Sequence, residues 1–225
     1  MKVLFVSATE FEILPLLDYL TDNFKNKDNV RFFSKELDIH ILVTGVGVVH
    51  TTYALTTFIA QKPIDLVINL GIAGAFNRNF NLGQVFQVVR DQFADLGVEE
   101  SDGTFSDVFD LELLDRNELP YINSKLYSPN SDNKFLPQAT AITVNTVHGT
   151  NQNISKSQNK YSTDLETMEG AAFFYCCLMQ QVNCIQIRAV SNYVEPRNKE
   201  NWDIPLAIEN LNAVAIQMIE ELKLE

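Results

Sequence analysis

Basic residues are scarce in this sequence relative to acidic ones. The 225 residues include 17 Lys and Arg against 29 Asp and Glu, a formal net charge of −12, and the basic residues form no long cluster. Because nucleic acids and anionic membranes bind electropositive surfaces, the composition argues against both as partners. Nine acidic residues and one basic residue fall between Asp95 and Glu118, which predicts a solvated face or a lid.

Cysteines and long apolar runs are also few. Cys176, Cys177 and Cys184 form no CxxC pair and no His/Cys spacing typical of a metal site. We therefore expect buried free thiols, a reducing compartment and no bound metal. Residues 1–12 hold too short an apolar stretch for a secretory signal, and no run is long enough to cross a bilayer. These absences predict a soluble, cytoplasmic protein.

Short apolar runs alternate with helical patterns along the chain. With 46% hydrophobic residues, the length suits a single α/β domain spanning residues 1–225. The alternation predicts a three-layer α/β/α sandwich with a mixed, mainly parallel central sheet. The predicted strands are 3–8, 39–45, 64–71, 85–90, 140–145 and 183–191, the predicted helices are 12–21, 48–61, 164–182 and 204–223, and residues 149–162 are predicted to be a mobile surface loop.

Several familiar catalytic and cofactor motifs are missing. There is no GxGxxG fingerprint and no Walker A sequence, so no nucleotide cofactor is expected. No GxSxG elbow occurs, and no cysteine has an evident base, which disfavours covalent hydrolysis. His40, His50 and His148 are too scattered to suggest a metal site or a triad, and each is interpreted as a structural or surface residue.

Five segments place functional side chains or flexible backbone where predicted strands end. Glu12 is expected at the junction of the first strand and the first helix, where it either completes a Thr9-x-x-Glu12 capping box or acts in catalysis. TGVGVVH (44–50) and NLGIAGAFN (69–77) are predicted turns that either bind a ligand through backbone N–H groups or allow close packing. Glu169 near a helix start either complements the helix dipole or binds a ligand, and Asn192 follows the last strand.

Five segments, taken together and in order, resemble the nucleoside phosphorylase and nucleosidase superfamily. They are SATEFEILPLL (7–17), VTGVGVVHTTYAL (43–55), INLGIAGAF (68–76), TMEGAAFFY (167–175) and RAVSNYVEP (188–196). Their order and spacing are similar to those of methylthioadenosine/S-adenosylhomocysteine nucleosidases. FADLGVEESDG (93–103) and SNYVEPRNKENWDIPLAIENLN (191–212) resemble the futalosine hydrolase family more specifically. The resemblance covers nearly the whole chain.

The resemblance implies roles for individual residues. A glutamate at the position of Glu12 activates water in this family, and the glutamate of the MEG motif, here Glu169, holds the ribose hydroxyls. Met168 would pack beneath the ribose, and Arg188 and Ser191 would orient the base. The remaining substrate-binding positions implied are Gly71, Ile72, Ala73 and Gly74 beside the sugar, and Thr146, Val147, Gly149 and Trp202 around the base.

Asn192 stands where the adenine-releasing relatives carry an aspartate. A protonated aspartic acid can donate to N7 of adenine and accept from its amino group, whereas a 6-oxopurine presents two acceptors, O6 and N7. An asparagine NH₂ group donates there without needing a protonated carboxyl group. The substitution therefore favours hypoxanthine as the leaving group.

The resemblance thus implies hydrolysis of futalosine, a 5′-modified inosine, to hypoxanthine and dehypoxanthine futalosine in menaquinone biosynthesis. A carboxylate at position 12 repels phosphate, and no arginine occurs between residues 1 and 30, so water is favoured as the nucleophile. The family also implies a homodimer or a higher homo-oligomer. The alternatives are a methylthioadenosine/S-adenosylhomocysteine nucleosidase, a purine nucleoside phosphorylase, or a non-catalytic nucleoside-binding protein.

Overall fold

The computed structural model describes residues 1–28, 30–131 and 136–224 and contains twelve strands and five α-helices in that part of the chain. The strands are β1 (Lys2–Ser7), β2 (Lys25–Asn26), β3 (Arg31–Phe33), β4 (Asp38–Val43), β5 (Leu66–Ala75), β6 (Val85–Asp91), β7 (Gly97–Glu99), β8 (Phe105–Asp107), β9 (Leu126–Tyr127), β10 (Gln138–Thr143), β11 (Leu165–Thr167) and β12 (Asn183–Tyr193). The helices are α1 (Glu10–Asn23), α2 (Val48–Gln61), α3 (Asn151–Tyr161), α4 (Gly170–Met179) and α5 (Ile204–Leu222).

The central sheet is mixed and mainly parallel, as the alternating pattern predicts. Its order is β11-β10-β6-β12-β5-β1-β4-β3-β2, and β9 pairs with β6. β5 lies at the centre, parallel to both β1 and β12, and its end also pairs antiparallel with β11. The ends of β1, β5, β11 and β12 consequently meet in one region, where ligands of such sheets collect.

Apolar side chains form a core on each face of the sheet, which confirms the three-layer architecture. On one face, Leu16 and Leu20 of α1 pack with Leu211 and Ala215 of α5 over the sheet. On the other face, α2 and α4 contribute Leu55, Phe173, Phe174 and the buried thiols of Cys176 and Cys177. Within the described residues, no helix combines the length and the apolar character that crossing a bilayer requires.

The prediction of a mobile loop over 149–162 is wrong, because residues Asn151–Tyr161 form helix α3. The Thr150 side chain caps the helix by accepting a hydrogen bond from the Asn153 N–H. Ile154 is buried in a small apolar cluster against which Tyr161 packs. Because most residues of α3 are polar, its narrow apolar stripe is not evident in the sequence. The helix is stabilised by tertiary packing, since its own residues favour a helix only weakly.

The structure contradicts two further predictions. Residues 164–182 are not one helix, because Leu165–Thr167 form β11 and α4 begins only at Gly170. The segment NLGIAGAFN (69–77) is not a turn after a strand, since β5 runs on to Ala75. Pairing of the β5 end with both β11 and β12 keeps Gly71 and Gly74 extended.

Candidate active site

Glu12 lies in the first turn of α1, where its two carboxylate oxygens have different partners. Oε2 accepts hydrogen bonds from Ser7 Oγ at 3.1 Å, from the Thr9 N–H at 3.0 Å and from Thr9 Oγ1 at 2.9 Å. Oε1 accepts from the N–H of Ile72 on β5 at 3.2 Å. One oxygen therefore serves the helix start, as the capping-box interpretation predicts, and the other reaches the strand predicted to lie beside the sugar.

Glu169 occupies the N-cap position of α4 and is also buried. Its Oε1 accepts a hydrogen bond of 2.9 Å from the N–H of Gly47, the residue that precedes α2. Gly47 has φ 93°, a left-handed conformation that glycine adopts without steric cost. Burial raises the pKa of Glu169, and the positive charge of Arg188 opposes that rise. The carboxylate thus lies between the starts of two helices.

Arg188 is a buried cation on β12 beside these carboxylates. Burial lowers the pKa of Arg188, while the negative charges of Glu169 and Glu12 counteract the decrease. Its guanidinium group donates to Asn69 Oδ1 and to the carbonyl of Ile187, and its Nε has no partner among the described residues. Arg188 thus lies beside the two carboxylates, and it is not among the residues that line the cavity at Asn192, although the resemblance assigns it to the base.

Gly71 allows these charged groups to approach β5. A Cβ atom at this position would lie 2.7 Å from Arg188 Nη1 and 3.2 Å from Glu12 Oε1. Any larger side chain would displace both groups. The conformation of Gly71 is ordinary extended backbone, so the requirement for glycine here comes from space.

Asn192 sits near the end of β12 with a defined amide orientation. Its Oδ1 accepts a 2.8 Å hydrogen bond from Ser191 Oγ, and its Nδ2 donates to the carbonyl of Tyr193 at 3.0 Å. The Ser191 hydroxyl also lies 3.3 Å from the carbonyl oxygen of Ala73. A Cβ atom on Gly74 would be 3.3 Å from Asn192 Nδ2. This hydrogen-bond network assigns the NH₂ group, a donor, to the side facing β5.

A cavity of about 90 Å³ adjoins the Asn192 amide. Of the residues predicted around the base, Val147, Gly149, Asn192 and Trp202 line it, together with Gly74, which was predicted beside the sugar. Thr146 is exposed on the preceding loop, and Met168 is partly buried beside Glu169. The remaining lining residues are His148, Glu166, Tyr193, Val194, Glu195 and Arg197.

Two residues that line this cavity, His148 and Glu166, were not predicted from the sequence to belong to the site. His148, interpreted as a structural or surface residue, contacts the buried carboxylate of Glu166 through both its backbone N–H and its ring Nδ1. Glu166 lies within the segment predicted to be helical, so its place on a strand at the cavity was not foreseen. The alternation of apolar and polar residues in Leu165-Glu166-Thr167 is the one sequence signal for a strand here, and it could have indicated that Glu166 lies on that strand.

The family model described as "Phosphorylase superfamily" matches residues 2–223, and the chain belongs to this superfamily. It is 28% identical over 185 residues to the futalosine hydrolase of Thermus thermophilus, with 80% of each chain covered. It is 31% identical over 175 residues to the futalosine hydrolase of Acidothermus cellulolyticus, covering 76% of this chain and 71% of that protein.

The fold is also that of a solved nucleosidase. The methylthioadenosine/S-adenosylhomocysteine nucleosidase of Colwellia psychrerythraea, solved in complex with adenine, superposes with a TM-score of 0.78 at 20% identity. The match covers 99% of this chain and 96% of the other. Together these relatives confirm the resemblance found in the sequence and support an N-ribosyl nucleosidase activity.

Proposed function

We propose that the protein hydrolyses the N-glycosidic bond of futalosine, releasing hypoxanthine and dehypoxanthine futalosine in menaquinone biosynthesis. One observation carries the proposal: the Glu12 carboxylate contacts β5 at Ile72, and the Asn192 amide lies against the same strand at Gly74. Two residues of extended strand span about 7 Å. The two contact points on β5 are thus spaced by about the width of a ribose, which supports a sugar bound between the carboxylate and the amide.

Glu12 acts as the general base in this proposal. Cleavage of the glycosidic bond develops positive charge on the ribose, and water attacks the anomeric carbon as the base departs. Glu12 Oε1 accepts the proton of that water, a contribution of about 10²- to 10⁴-fold in rate. The hydrogen bonds from Ser7 and Thr9 to Oε2 hold the carboxylate in place, which limits the reorganisation needed during reaction.

Glu169 binds the 2′- and 3′-hydroxyls of the ribose and stabilises the oxocarbenium-like sugar. Because Glu169 is buried, away from the screening effect of water, its carboxylate interacts more strongly with the positive charge that develops on the ribose. Arg188 serves as a positioning residue, because its buried charge offsets the two carboxylates and it has no place in the cavity next to the base.

Asn192 stabilises the departing hypoxanthine. The orientation set by Ser191 leaves one N–H of the Asn192 amide for N7 or O6 of the base. The ring of Trp202, with the Arg197 guanidinium 5.4 Å from its centroid, provides an apolar wall of the cavity. Adenine carries an amino group at position 6, so two donors would face each other there.

The 5′ substituent of futalosine carries a carboxylate, which requires a basic or N–H-rich receiver. Of the candidates Arg78, Arg90, Arg197 and Lys199, Arg197 borders the cavity, whereas Arg78 is paired with Glu195 at 2.9 Å.

A homodimer is part of the proposal. Tyr53 on α2 is 75% exposed and Leu119 is 82% exposed. Exposed apolar side chains of this kind are candidates for contact with a partner subunit, which the resemblance to the family implies closes the 5′ side of the site.

The experiment is a substrate panel. Purified protein is incubated with futalosine, inosine and 5′-methylthioadenosine, each with and without phosphate, and release of the free base is measured. We expect hypoxanthine from futalosine at a rate independent of phosphate. Activity only with phosphate would indicate a phosphorylase, and preferred release of adenine would indicate the adenine-specific nucleosidase.

A further inference from the structure

Glu166 is a buried carboxylate that the mechanism above does not use, although it lines the same cavity as Asn192. β11 pairs antiparallel with β5, which places Glu166 opposite Gly74. β12 pairs with β5 from the other side and places Asn192 opposite Gly74 as well. Because directly opposed residues project to the same face of a sheet, the carboxylate and the amide flank Gly74.

His148 fixes this carboxylate from the loop that precedes α3. Its backbone N–H donates to Glu166 Oε1 at 3.1 Å, and its ring Nδ1 contacts Oε2. A carboxylate oxygen is the acceptor in this contact, which assigns the donor role to Nδ1. Each oxygen keeps a further lone pair. Glu166 thus presents an oriented hydrogen-bond acceptor at a cavity where Asn192 presents a donor.

We infer that Glu166 accepts a hydrogen bond from N1–H of the purine base and selects 6-oxopurines; this rests on the proposed function. Hypoxanthine has acceptors at O6 and N7 and a donor at N1–H. The N–H donor of Asn192 complements the acceptors O6 and N7, and the carboxylate acceptor of Glu166 complements the N1–H donor. Adenine instead has a lone pair at N1, which a carboxylate repels. Buried polar groups that lose their partners discriminate between ligands by orders of magnitude.

The kinetic test uses two nucleosides that differ only at purine positions 1 and 6, 5′-methylthioinosine and 5′-methylthioadenosine. Glu166→Gln keeps the shape of the side chain and adds an NH₂ donor. We expect the ratio of kcat/KM for the inosine compound to that for the adenosine compound to fall about 10- to 100-fold. Glu220→Gln, the same change on α5 remote from the cavity, should leave the ratio unchanged. An equal loss for both nucleosides in Glu166→Gln would overturn the inference.

A second measurement uses the unaltered protein and remains valid if Glu166→Gln does not fold. The N1 proton of [1-¹⁵N]hypoxanthine is observed by NMR in the bound state. A hydrogen bond to Glu166 predicts a downfield N1–H signal protected from solvent exchange. An N1–H that exchanges as it does in free hypoxanthine, or no binding of hypoxanthine at all, would overturn the inference.

The two proposals fail in different ways. If the protein releases hypoxanthine but both tests are negative, only the role of Glu166 is wrong. If it cleaves neither nucleoside nor futalosine, yet binds hypoxanthine with a protected N1–H, the catalytic proposal is wrong and base recognition by Glu166 stands.

Discussion

The carboxylate of Glu12 accepts a hydrogen bond from the backbone N–H of Ile72, a residue 60 positions further along the chain. This contact joins the start of α1 to the central strand β5. It holds one oxygen of Glu12 against β5, two residues before Gly74, while the other oxygen remains bound to Ser7 and Thr9. A residue that only capped its helix would have no partner on β5.

Glu12→Gln tests the role of this carboxylate. The amide keeps the size of the side chain but cannot accept a proton, so we expect kcat for futalosine to fall about 10²- to 10⁴-fold. Binding of free hypoxanthine, measured by calorimetry, should be retained. Glu10→Gln, in the same helical turn but exposed, is the matched control and should keep wild-type turnover. Turnover within about threefold of wild type in Glu12→Gln would remove the general base from the mechanism.

Asn192→Asp tests the choice of base. The carboxylate that replaces the amide repels O6 and N7 of hypoxanthine, so hypoxanthine release should fall about 10- to 100-fold relative to adenine release. The measurement compares kcat/KM for 5′-methylthioinosine and 5′-methylthioadenosine. Asn23→Asp, at the distant end of α1, controls for added charge. An unchanged preference in Asn192→Asp would contradict the role of the amide.

Gly71→Ala tests the close packing of Arg188 and Glu12 against β5. The added Cβ would lie 2.7 Å from Arg188 Nη1, and we expect a loss of about 1–3 kcal/mol in the free energy of unfolding. Gly149→Ala provides the comparison, because the nearest atom to its Cβ would be 3.9 Å away. That variant should stay within about 0.5 kcal/mol of wild type. Equal stability of both variants would show that the site tolerates a larger residue at position 71.

Asp91 is a fully buried carboxyl group that accepts hydrogen bonds from Thr143 Oγ1 and Gln186 Nε2. Burial raises the pKa of Asp91 to about 6. Because the folded protein binds this proton more tightly than the unfolded chain does, protonation stabilises the fold. That contribution is lost as the pH rises from about 4 to about 6 and amounts to about 3 kcal/mol.

Asp91→Asn should remove this pH dependence. Gln186 Oε1 has no partner among the described residues, so a rotated Gln186 amide can accept from the new asparagine. Urea unfolding at pH values from 4 to 7 should show a smaller decrease in stability than wild type. Asp18→Asn, which changes an exposed carboxylate, should follow the wild-type profile. The same profile in both variants would contradict the assignment to Asp91.

The sequence predicts the elements whose local pattern and tertiary environment agree. Helix α2 is predicted at 48–61 and observed at Val48–Gln61, and α5 is predicted at 204–223 and observed at Ile204–Leu222. α3 and β11 were not predicted, because a single buried Ile154 anchors the first and pairing with β5 and β10 stabilises the second. Tertiary contacts of this kind leave little trace in local periodicity.

The site residues divide in the same way, into those that local sequence motifs predict and those that only tertiary contacts bring together. Residues carried by motifs, such as Glu12 and Asn192, meet the same central strand. Glu166 and His148 lie 18 positions apart and meet only because β11 pairs with β5 beside the loop before α3. No spacing rule connects them, so only the folded chain reveals their contact.

The origin of the oxygen atom added to the sugar tests the central claim most directly. Futalosine is incubated with the protein in H₂¹⁸O containing phosphate, and the sugar product is analysed by mass spectrometry. Attack by water that Glu12 activates predicts dehypoxanthine futalosine carrying one ¹⁸O atom at the anomeric carbon of the fresh product. A sugar 1-phosphate without ¹⁸O on that carbon would contradict the account.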